Sequence, residues 1–238
     1  MIRCIVLLSI GCNPVSGRPR LPPLEAAAIS MALRAGLRPH LLHAGPAAAA
    51  CCLHRGLGLG AAGLEILAIG PEDDPLPALL DHLTAAAPGL LLAGGRAETG
   101  EGSGMLPLRL AESLGRPVIT DCADLQHGGP EHWLVRAARR GGARQVLGVT
   151  TSAVLSVGAA ARMAPLGGRA SVDRVTVTPA SAPRDPRHDA ALQRVRPVPR
   201  PIGAVAAAPA ARSGAGRLDD PVQAATAIVD LLRSAGLV

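Results

Sequence analysis

The 238-residue sequence has no lysine, no phenylalanine and no tyrosine, one tryptophan (Trp133) and one asparagine (Asn13). Its 24 strongly basic residues are therefore all arginine. With a single aromatic ring there is no platform for stacking bases or sugars, which excludes the stacking type of nucleic-acid binder. No run approaches the ~20 apolar residues that span a bilayer. The stretch Met1–Ser9 is too short for a signal peptide, and Ile2–Leu8 reads as a first strand. The five cysteines (Cys4, Cys12, Cys51, Cys52 and Cys122) are odd in number and form no C-x-x-C, so unpaired thiols in a reducing cytoplasm are expected.

What is present is a chain 48% hydrophobic, rich in Ala, Leu, Gly (28) and Pro (22), whose core has to be built from Leu, Val, Ile and Ala. The length suits one generous domain, or one domain with a tail. Its net charge of +6 is regional. Residues 1–138 hold 10 Arg against 12 acids, residues 139–217 hold 13 Arg against 3, and residues 218–238 hold 1 Arg against 3. A basic segment of this kind suits nucleic acid, an acidic protein partner or a soluble irregular arm.

Over the first 125 residues, short apolar runs alternate with Ala/Leu-rich stretches of helical length. The runs Ile2–Ser9, His40–Ala44, Glu65–Ile69, Leu90–Ala93 and Val118–Thr120 have the character of strands buried on both faces. Helices are expected at Leu24–Ala35, Ala47–Leu57, Leu76–Ala87 and Met105–Leu114. Alternation of this kind implies an α/β fold, a doubly wound and mostly parallel sheet with right-handed crossovers. Beyond Asp121, His132–Ala138 and Arg144–Val149 read as a hairpin and Ala153–Val157 as a further strand. Residues 179–212 hold seven prolines and little periodicity. The expected organisation is an α/β domain over 1–178, a Pro/Arg-rich extended arm over 179–218, and a helix over 219–238 that docks on a partner. Asp219-Asp220-Pro221 is a capping start for that helix.

Two glycine clusters invite a phosphate reading. Gly58-Leu59-Gly60-Ala61-Ala62-Gly63 matches G-x-G-x-x-G but ends a helix and precedes a strand, the reverse of the dinucleotide context, so it reads as a turn. The stretch Gly94–Gly104 follows a strand and leads into a helix, which is the correct context. Successive glycines allow backbone N–H groups to converge, and the helix N-terminus adds partial positive charge. Thr99 and Ser103 add hydroxyls, while Glu98 and Glu101 count against an anion unless they face ribose or solvent. Lacking a Walker lysine, the loop is not that of an NTP hydrolase. His40 and His43 fall on opposite faces of one strand and cannot share a metal. No triad, zinc cluster or carboxylate pair suggests catalysis by the chain's own side chains, so it is not read as an enzyme.

The order of these pieces resembles the beta subunit of electron transfer flavoprotein, which implies that the doubly wound sheet is of Rossmann-like, adenine-nucleotide-binding type. The resemblance is carried by the first strand, Pro22-Pro23-Leu24-Glu25 opening the first long helix, and His43-Ala44-Gly45-Pro46 after the second strand. It continues through Gly95–Gly104, Leu114-Gly115-Arg116-Pro117 and the closing helix. Gly102 and Ser103 stand where the family has Gln and Thr, and Pro22 where it has Asn. The resemblance implies the smaller subunit of a heterodimer, with AMP as a structural nucleotide and FAD held mainly by the partner alpha subunit. Such a dimer carries electrons from flavin-dependent dehydrogenases to a membrane quinone reductase or similar acceptor. Carried over for AMP are Val6, Leu24, Ala44, Gly45, Glu98, Thr99, Gly100, Glu101, Gly102, Ser103 and Gly104. Leu166, within Ala160–Arg169, takes the place of the leucine that anchors in the dehydrogenase. A stand-alone adenine-nucleotide-binding module of the universal-stress type is the alternative, and the arm and terminal helix argue against it. A nucleic-acid-binding role for the basic arm is the third and weakest reading.

Overall fold

The computed structural model describes residues 3–99, 102–129, 132–150, 152–163, 172–185 and 220–234. The chain divides into two units, residues 1–192 and 193–238. The first is an α/β layer structure built on β1 (Cys4–Leu8), which is buried along its whole length. Cys4, Val6 and Leu8 point into a core beneath α1 (Pro23–Arg34), while Ile5 and Leu7 point into a second core on the other face of the sheet. That double burial is why the strand reads as an uninterrupted apolar run. Helix α1 presents Ala26, Ala27, Ala28 and Ala32 at zero to 3% exposure, and these small side chains let it lie close against the strands.

The sheet continues through β4 (His40–Gly45), β5 (Gly63–Ala68) and β6 (Leu90–Gly94). The second core is roofed by α3 (Pro75–Ala86) and α4 (Leu106–Ser113). Asp74 caps α3 by accepting a hydrogen bond from the Leu76 N–H at 3.0 Å. The remaining strands are β7 (Val118–Gly129), β8 (His132–Ala138), β9 (Arg144–Thr150), β10 (Ala153–Val157) and β11 (Val175–Pro179). Strand order across the nine-stranded sheet is β11-β5-β4-β1-β6-β10-β7-β8-β9. Neighbours from β11 to β7 are parallel, and β7, β8 and β9 are antiparallel, so the expected mostly parallel α/β fold is present.

Four local differences have physical causes. The stretch expected as a helix over Ala47–Leu57 is a 3-10 segment, Ala47–Leu53, running into a short α2 (His54–Gly58); Gly56 and Gly58 weaken a continuous α-helix there. Strand β7 extends far beyond Thr120, because its partner β8 supplies hydrogen bonds out to Gly129. The β11 strand adds an edge outside β5, an addition that depends on a pairing distant in sequence. A small hairpin, β2 (Gly11–Cys12) with β3 (Pro19–Arg20), lies between β1 and α1. The Gly58–Gly63 cluster is the turn from α2 into β5.

Residues 180–185, at the start of the expected arm, run beside the main sheet. The Asp74 N–H donates to the Pro183 carbonyl at 2.9 Å and the Asp185 N–H to the Glu72 carbonyl at 2.8 Å. The rest of the expected arm, residues 186–218, lies outside the described residues. In the second unit, α5 (Pro221–Ser234) is capped by Asp220, which accepts from the Val222 N–H at 3.0 Å. No helix among the described residues is long and apolar enough to cross a membrane.

Candidate functional site

From β1 the chain moves outward through β4 to β5, then returns through α3 to place β6 on the other side of β1. The carboxyl ends of β1 and β6 therefore flank a topological switch point, where open α/β sheets form their ligand crevice. A cavity of about 240 Å³ occupies this position. The ends of the two strands supply Leu7, Leu8, Ser9, Ala93 and Gly94 to its wall. The loop into α4 adds Ala97, Thr99, Gly102, Ser103 and Gly104, and α4 itself adds Arg109.

The expected site residues fall into three groups. Ala44, Thr99, Gly102, Ser103 and Gly104 line the cavity together. Four others do not line it. Val6 is fully buried in the core beneath α1, Leu24 packs beside Gly94, and Gly45 lies against the His43 ring. Glu98 is turned to the β2–β3 hairpin, where Arg20 grips it through two hydrogen bonds at 2.6 and 3.0 Å. Gly100, Glu101 and Leu166 lie outside the described residues.

The grip of Arg20 answers the electrostatic objection for Glu98, which does not line the cavity, while Glu101 lies outside the described residues. Thr99 ties the same loop to the hairpin by donating to the Ile10 carbonyl at 2.5 Å. Arg96 Nε donates to the Gly102 carbonyl and so braces the loop from its outer side. Gly102 and Gly104 have φ of +56° and +76°, where a side chain is strained, and a Cβ on Gly104 would stand 2.5 Å from the Gly95 carbonyl oxygen. Ser103 Oγ accepts from the Met105 N–H at 3.2 Å and stands at the start of α4.

Sequence reasoning did not single out the polar groups of the cavity's inner wall. Glu25, third residue of α1, is 4% exposed. Its carboxyl accepts from the Ser9 N–H at 2.7 Å and meets the Ser9 hydroxyl at 2.5 Å. Burial outweighs those bonds and pushes its pKa up to about 8, so Glu25 is protonated and uncharged at neutral pH. His43 Nδ1 lies 2.9 Å from the Leu8 carbonyl while its buried Nε2 has no partner, and burial lowers its pKa, which keeps the ring neutral. Asp73 accepts from the Gly70 N–H at 2.7 Å and Asp74 is committed to capping α3. An acidic residue just after a helix-starting proline pair was the one local sign of Glu25; Arg109 follows the glycine loop in the first turn of α4, and Asp185 is brought in by pairing beside Glu72.

Comparison with known proteins gives a partial likeness. The chain is 40% identical over 124 residues to the electron transfer flavoprotein subunit beta of Chromohalobacter salexigens. That stretch is 51% of this chain and 46% of the relative, so the match spans about half of each protein. No protein-family model matches the chain.

Proposed function

We propose that this chain is the beta subunit of a heterodimeric electron transfer flavoprotein and that it holds AMP as a structural nucleotide in the switch-point cavity. The observation that carries the reading is the cavity itself, walled at the carboxyl ends of β1 and β6 by Gly102, Ser103 and Gly104 at the mouth of α4. Its volume of about 240 Å³ is near the lower limit of small-molecule sites (roughly 300 Å³). The close approach of Gly104 to Gly95 leaves backbone, with no side chain, at the phosphate end. Glu25 is neutral and Glu98 is paired with Arg20, so the carboxylates that face an anion in the cavity are those of Asp73, Asp74 and Asp185.

In this reading the chain binds and orients and performs no chemistry of its own. Backbone N–H groups of 102–104 and the Ser103 hydroxyl hold the phosphate, while Ala44 and Leu7 pack against the nucleoside. AMP supplies no redox chemistry and acts as a filling element of the fold. FAD, held mainly by an alpha subunit, carries the electrons between flavin-dependent dehydrogenases and a membrane quinone reductase or similar acceptor. The exposed apolar residues Val222, Ile228 and Leu231 of α5 suit docking on that subunit. Leu166 is the proposed anchor for the dehydrogenase.

Co-expression with the product of a neighbouring alpha-subunit gene tests the assignment. A yellow complex of equal stoichiometry is expected, together with a colourless preparation of this chain alone. A yellow, reducible preparation of the isolated chain would contradict the subunit role.

A further inference from the structure

The cavity offers the Ser103 hydroxyl and the loop backbone to a phosphate, but Asp73, Asp74 and Asp185 also line it, and in a chain without lysine sources of positive charge are few. Among the described residues that line it, Arg109 is the one arginine. Two other arginines of the region are engaged elsewhere, Arg20 with Glu98 and Arg96 with the Gly102 carbonyl. Arg109 stands in the first turn of α4, the helix whose start is walled by Gly102, Ser103 and Gly104. Its ion-pair partner, Asp74, is 4.0 Å away, and the other oxygen of Asp74 caps α3. That separation is too long for a hydrogen bond, so the guanidinium keeps donors to offer across the cavity.

We propose that Arg109 pairs with the phosphate of the bound nucleotide and makes the cavity select a nucleoside monophosphate over the free nucleoside. The proposal rests on the mononucleotide reading above. A planar guanidinium meets two phosphate oxygens at once, a charge-assisted pairing that no neutral side chain reproduces. In this division of labour the loop glycines set the shape of the phosphate end and Arg109 supplies its charge. The 41% exposure of its side chain lets it be replaced without opening the core.

The test is calorimetric titration of the full chain, stripped of bound nucleotide, with AMP and separately with adenosine, for the wild type, Arg109→Gln and Arg109→Lys. Expected is a loss of about 10- to 100-fold in AMP affinity for Arg109→Gln, with adenosine affinity unchanged and a smaller AMP loss for Arg109→Lys. Inorganic phosphate should compete with AMP on the wild type and lose that competition in Arg109→Gln. Equal weakening of both ligands in Arg109→Gln would make Arg109 a merely structural residue and overturn the proposal, as would an unchanged preference for AMP. A wild type that binds AMP and adenosine equally overturns the phosphate pairing alone, whereas one that binds neither overturns the mononucleotide reading along with it.

Discussion

Replacing Glu25 by glutamine gives a direct readout of the buried carboxyl on the inner wall of the cavity. In the folded chain its pKa stands at about 8, against an ordinary value of 4.5, because burial opposes the charged form more strongly than the two Ser9 contacts favour it. Between those two pH values the unfolded chain has released the proton and the folded chain still holds it. Wild-type stability contributed by this group therefore falls as pH rises, by about 1.4 kcal/mol per pH unit, and the loss is complete above about pH 8. The full effect is on the order of 5 kcal/mol. Glutamine matches the shape of the protonated acid, accepting from the Ser9 N–H and donating to the Ser9 hydroxyl. Glu25→Gln should thus match the wild type near pH 4.5 and exceed it in stability by roughly 3 kcal/mol at pH 7. Urea denaturation at a series of pH values, followed by the emission of Trp133 (2% exposed), provides the measurement. Parallel stability curves for the two proteins from pH 4.5 to 9 would refute the reasoning.

Two further outcomes follow from the structure, and a third from the proposed subunit role. Gly45→Ala places a Cβ 2.6 Å from His43 Nε2, in a ring held by the Leu8 carbonyl, and should lower stability by about 1–3 kcal/mol in denaturant unfolding; an unchanged midpoint would show that the ring moves freely. Cys12 and Cys51 are exposed, whereas burial pushes Cys4 and Cys122 up to about 12, so a thiol reagent should label the first pair in the native protein and the second only after unfolding. Leu166→Ala should slow electron transfer from the dehydrogenase by about 10- to 100-fold, the worth of one buried leucine, with melting temperature and flavin content unchanged; joint loss of stability and flavin would make Leu166 a core residue instead.

The parallel strands were legible because burial on both faces makes β1 and β6 continuous apolar runs and leaves β4 and β10 mostly apolar. Strand β11 was not, since Val175–Pro179 is half-exposed and its place beside β5 depends on pairing across more than a hundred residues. The same contrast holds at the site. Gly102, Ser103 and Gly104 announce themselves as small residues between a strand and a helix. Ser9 follows β1, Glu25 lies on α1 and Arg109 on α4, and the cavity all three line forms where the sheet reverses its order at β1. Glu98 was misleading in composition alone, as its charge is answered by Arg20, 78 residues earlier in the chain.

The central claim, that the switch-point cavity holds AMP, is tested most directly by heat-denaturing the purified complex and quantifying the released nucleotide chromatographically. The wild type should release AMP in stoichiometric amount. Gly104→Val should release little, because φ of +76° and the Gly95 carbonyl 2.5 Å from the new Cβ forbid the loop its native path. Absence of AMP from the wild type, or equal release from the variant, would contradict the account.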